Sequence, residues 1–93
     1  MKNYKINRIR KKLDYLDNQL LKLIKQRTHL VDQVLKTKKF KNEIIDKKRI
    51  TQILKKIKLK SRKLKIDPEI TSRIWSNMIR AYINYEFKNF KKK

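Results

Sequence analysis

Arg27 stands where the pattern around it calls for an apolar residue. Ile6, Leu13, Leu20 and Val34 share one heptad register, and Arg27 fills the gap between Leu20 and Val34. A guanidinium among apolar neighbours is costly unless it is paired. It is therefore either an arginine whose stem lies along the seam while its head reaches water, or a cation set to hold an anion. Lys38 comes eleven residues later, which at 100° per residue returns to within about 20° of the same face, about 16 Å along the axis. A compact anion fits between two such long side chains. A cation near a helix C-terminus, favoured by the dipole, is the plainer account of Lys38 alone. Arg10 lies 17 residues before Arg27, about 25 Å along one helix. Taken singly it is a solvated surface residue, and it reaches the same small ligand only from a second chain packed antiparallel. Arg49 sits beside Asp46, where an Asp–Arg pair is the simple reading. Glu86 falls on an apolar stripe in step with Met78 and Tyr82, either at its edge or buried.

If these residues do chemistry, it is by positioning and electrostatics. The chain has no Cys, so disulfides, thiolate metal sites and Cys nucleophiles are excluded. A single His assembles neither a His-based zinc site nor a conventional triad. Without Gly there is no phosphate-cradling loop. No paired carboxylates, Ser/His/Asp set or metal cluster is evident, and no cofactor or metal is expected.

The elements that must hold these residues are helices. Ile6, Ile9, Leu13, Leu16, Leu20, Leu23, Leu30 and Val34 follow steps of three and four, a heptad seam unbroken by Pro or Gly. It predicts one helix over about 5–39, about 50 Å long. The residues that remain cannot cover it, so its seam needs a partner, and a second copy of the chain is the simplest. Lys39–Glu43 reads as a connection. A second helix is expected over about 46–64, with Ile50, Ile53, Leu54, Ile57 and Leu64 at helical spacing and Asp46 as its cap. Asp67-Pro68-Glu69 restarts the chain as a third helix, about 68–90, and the Lys91-Lys92-Lys93 tail should fray. The expectation is a single all-α domain over 1–93, one long and two shorter helices, in an intertwined homodimer. At 93 residues, oligomerisation is the stabilising route left to a chain this small.

The formal charge of +21 invites a nucleic-acid partner, since cations that neutralise phosphates release counterions. Lys, Ile and Asn are all abundant and all have A/T-rich codons, so a biased genome accounts for the same composition. The basic residues also read as spread along the chain, so nucleic acid is not the expected partner. Met1-Lys2-Asn3-Tyr4-Lys5 leads into a charged amphipathic stretch without the apolar core of a signal peptide, and no run reaches membrane-spanning length. The expected location is the cytoplasm.

In order along the chain stand Ile9-Arg10-x-x-Leu13-Asp14-x-Leu16-Asp17-x-x-Leu20-Leu21-x-Leu23-Ile24-x-x-Arg27 and Leu30-Val31-x-x-Val34-x-x-x-Lys38. Asp46-x-x-Arg49, Leu64-x-Ile66-Asp67-Pro68 and Ile74-Trp75-x-x-Met78-Ile79 follow. Together these segments resemble the type II, all-helical chorismate mutase family. The resemblance implies an intertwined dimer with two shared sites and conversion of chorismate to prephenate without a cofactor, in phenylalanine and tyrosine biosynthesis. It implies that Arg27, Lys38, Asp46 and Arg49 line a site from one subunit and that Arg10 enters from the other. Arg10 and Arg27 would hold the two carboxylates, and Lys38 would donate to the ether oxygen. Glu86 takes the place of a second ether-oxygen ligand, often Gln. Asp46 would bind near the substrate hydroxyl, and Tyr82 occupies a variable wall position.

Two positions depart from the family pattern. Ile50 stands where many members have a Glu that contacts the hydroxyl, which narrows the distinction from the related isochorismate-pyruvate lyases; Asp46 leans toward the mutase. Glu86 is an acid where an amide is common. As a carboxylate it would repel the ether oxygen, so it must carry a proton to help, and activity is expected to favour acidic pH.

Overall fold

The computed structural model describes residues 4–91, and among them the chain is helical throughout, without strands. Three α-helices, α1 (Tyr4–Thr37), α2 (Lys47–Lys63) and α3 (Pro68–Asn89), are joined by a short 3₁₀ turn at Lys41–Glu43 and a tight α2–α3 link. Met1, Lys2 and Asn3, and the tail residues Lys92 and Lys93, lie outside the described residues.

Two compact units divide the chain at Gln33 and Val34. The first is the body of α1. Its seam is uncovered: Leu13, Leu16, Leu20, Leu23 and Leu30 are each 53–58 % exposed. A single amphipathic helix has nothing of its own on which to bury a stripe, so the heptad pattern is met here by no partner within the unit.

The second unit holds the last turn of α1 with α2 and α3. The helix stops at Thr37, not at residue 39: the Lys38 N–H closes on the Leu35 carbonyl, and Thr37 Oγ1 bonds the Val34 carbonyl at 2.6 Å. Lys38 therefore stands one residue past α1, and the helical rotation that put it on the face of Arg27 does not run through it. Leu35 and Ile44 are buried. The connection is shaped by Glu43, whose Oε1 accepts from the N–H groups of Lys39 and Phe40 at 2.9 and 2.8 Å.

Asp46 caps α2, accepting the Arg49 N–H at 3.0 Å, and Asp67 caps α3, accepting from Glu69 with Pro68 in the first turn. Each cap satisfies a backbone donor that the helix itself leaves unpaired. Between them α2 ends in a Schellman turn: Ile66 N–H donates to Ser61 O and Lys65 N–H to Arg62 O. Such a turn needs a left-handed residue, and with no Gly in the sequence Lys65 takes it at φ 59°. The link is short, so α2 and α3 lie side by side as a helical hairpin. Ser61 and Thr71, both buried, share a 2.7 Å hydrogen bond near its closed end.

The cations are less evenly spread than composition suggests. From Lys47 to Ile66 there are ten Lys and Arg, and all eight acids lie elsewhere. The nine cations within α2 are all exposed, while Ile50, Ile53, Leu54 and Ile57 are half-buried on its other side. Three of the nine, Lys47, Lys48 and Arg49, occupy the first turn, where the helix dipole disfavours positive charge.

Candidate active site

Glu86 is buried on α3 and meets Lys38 across 48 residues of sequence. Lys38 Nζ lies 2.8 Å from Glu86 Oε1, and the two side chains retain only 15 % and 10 % of their exposure. The stripe position of Glu86 thus buries the carboxylate rather than leaving it at the edge, and the chain meets the desolvation cost with a charge-assisted bond. An ammonium has three donors, so two remain to Lys38 beyond this bond.

The pair adjoins a cleft of about 770 Å³, lined by Lys38, Lys41, Glu43, Asp46, Lys47 and Phe87 among others. Three pieces of the second unit build it: the end of α1, the 3₁₀ turn with the cap of α2, and the last turns of α3. Here Lys38, Asp46 and Glu86 converge. Arg49 is tied to the place through its backbone, but its side chain is exposed and does not line the cleft. Its expected ion pair with Asp46 is absent; the carboxylate caps the helix through the Arg49 N–H instead. Ile50 is half-buried one position on. Tyr82, half-buried one turn before Glu86, packs edge-on against Tyr85 with ring centroids 6.3 Å apart.

Arg10 and Arg27 belong to the first unit. Arg27 is half-buried, and Arg10 is exposed near the start of α1, lining an open pocket of about 520 Å³ with Tyr4, Arg8 and Asp14. Along one helix they stay about 25 Å apart.

Sequence reasoning took Lys38 and Glu86 as separate ligands of one oxygen and missed that they bond each other. Only their opposite charge hinted at it. It also passed over Lys41 and Lys47, ordinary lysines in a lysine-rich chain until the cleft places them.

A cationic donor beside a buried acid, in an open cleft at the end of an all-helical hairpin, suits the binding of a polar anion. The chain belongs to the chorismate mutase type II family, whose model matches residues 9–87. No curated protein and no solved structure matches it.

Proposed function

We propose that this chain is a chorismate mutase, rearranging chorismate to prephenate in a site shared between two copies. The reaction is unimolecular: the ether C–O bond breaks as a C–C bond forms, and no proton or electron need leave the substrate. What a protein supplies is a chair-like near-attack conformation and stabilisation of charge growing on the ether oxygen. A millionfold acceleration asks for about 8 kcal/mol. Fixed cations are a suitable source where water is excluded, because their field is then little screened.

The observation that carries this reading is the part-buried Lys38–Glu86 pair beside the cleft that Asp46 helps to line. By family resemblance Lys38 donates to the ether oxygen, Asp46 lies near the substrate hydroxyl and Arg49 completes the wall. Glu86 takes the place of the second ether-oxygen ligand. Arg27 and Arg10 of the partner subunit hold the carboxylates. The uncovered seam of α1 supports the dimer, since a second α1 is the complementary surface available to it. Among the described residues no helix is long and apolar enough to cross a membrane, and the cytoplasm is the proposed location.

Following chorismate consumption and identifying the product tests the proposal. Prephenate supports it. Pyruvate with an aromatic acid, released from isochorismate supplied in a parallel assay, would replace it with the lyase reading, from which Ile50 narrows the distinction. No turnover together with salt-sensitive retention of a DNA duplex would replace it with a nucleic-acid-binding dimer. Arg27→Ala abolishes either enzymatic activity and leaves polyanion binding nearly intact.

A further inference from the structure

We infer that Lys41, Lys47 and the basic outward face of α2 form a gathering surface that brings a small dianion to the cleft, an inference that rests on the mutase reading for the dianion's identity. The charges of the cleft can be accounted for one by one. Glu43 is held by the N–H groups of Lys39 and Phe40, Asp46 by that of Arg49, and Glu86 by Lys38. Lys41 and Lys47 line the same cleft and are exposed, and neither ammonium has a hydrogen bond or ion pair with any described residue. They are the cleft's cations whose charge is not already paired with an acid.

Formal charges around the cleft cancel, with Lys38, Lys41 and Lys47 against Glu43, Asp46 and Glu86. Beyond the arginines proposed to hold the carboxylates, further pull on an anion comes from outside the cleft, and α2 begins at its rim with Lys47. Ten cations run from Lys47 to Ile66 without one acid. Whatever the origin of the lysines, none of the eight acids falls in this stretch, so its charge is uncompensated along the helix. On the outward side Lys48, Lys55 and Arg62 recur every seven residues, so they share one face to within about 40°. The apolar side of α2 is half-buried and Leu59 alone among its larger apolar residues is exposed. The helix therefore lacks the free apolar face that insertion into a lipid surface requires.

Screening divides the work. The Debye length is about 30 Å at 0.01 M salt and about 8 Å at 0.15 M. Lys55 and Arg62 lie about 12 and 22 Å along the axis from Lys47. They act on an approaching dianion only at low salt, whereas Lys41 and Lys47, on the cleft wall, act at both.

Steady-state kinetics on the full chain at those two ionic strengths test this. Wild-type kcat/KM should fall about tenfold between them, the low end for electrostatic steering. Lys55→Gln/Arg62→Gln should lose a few-fold at low salt and match wild type at the higher. Lys41→Gln/Lys47→Gln should lose at both, whereas kcat stays unchanged in Lys55→Gln/Arg62→Gln, which lies outside the cleft. A common salt slope for all three proteins, or a loss of kcat in Lys55→Gln/Arg62→Gln, overturns the inference. If chorismate is not turned over, the mutase reading fails, and calorimetric Kd values for chorismate at the same two salts decide this one. A Kd that weakens with salt and with the variants sustains it; one that responds to neither sinks it, as does salt-sensitive binding of a duplex alone.

Discussion

Lys38 directs one of its donors at Glu86, so the site holds its own cation in place. In the proposed reaction an incoming ether oxygen must share that ammonium with a carboxylate, which accepts hydrogen bonds and does not donate one. Glu86→Gln supplies an amide donor in its place and should raise kcat; an unchanged or lower kcat would show that the carboxylate does not oppose the reaction. Lys38→Met takes away the donor and strands the acid. We expect kcat to fall at least about a hundredfold, as for loss of a preorganised donor. Chemical denaturation should show a loss of about 3 kcal/mol, the low end for breaking a buried pair, because both groups keep some contact with water. The residue types were legible in sequence, since a charged residue in an apolar stripe is conspicuous. Their bond was not, because no local pattern reports a contact between the end of one helix and the far end of another.

At the scale of elements the two caps were plain. Asp46 and Asp67 precede apolar periodicity, the second with Pro68, and both accept the expected N–H groups. The end of α1 was not plain, since neither Gly nor Pro marks it, and the helix stops at Thr37 through backbone and hydroxyl bonds that any sequence reading passes over. Nor was the turn after α2, where a lysine does what glycine does at lower cost. Lys65 at φ 59° carries the steric penalty of a left-handed residue with a side chain. Lys65→Gly should therefore stabilise the chain by about 1 kcal/mol, seen as a higher denaturation midpoint, although Gly gains freedom in the unfolded state. Ser61→Ala at the same end removes the buried bond to Thr71 and should cost about 1–2 kcal/mol. A rise in stability there would show the hydroxyl pair to be dispensable.

For the whole molecule, the heptad seam pointed to a second copy, and α1 as found leaves that seam exposed. In the proposed dimer, Arg10→Ala and Arg27→Ala each disable both sites. Mixing the two inactive proteins should nevertheless restore about a quarter of full activity. Random exchange makes half of the dimers mixed, and each of these has one site with both arginines intact. No recovery after exchange would mean that Arg10 and Arg27 serve the site of their own chain. The uncovered stripe has one more consequence. In the proposed dimer, a chain with so little buried apolar surface of its own would gain most of its stability on meeting its double, so that folding and association become one second-order event. Dilution then erases the catalyst rather than merely thinning it. Below the dissociation constant, activity per chain declines in step with concentration, and a dilute sample recovers on being concentrated at a rate that depends on how often two chains collide.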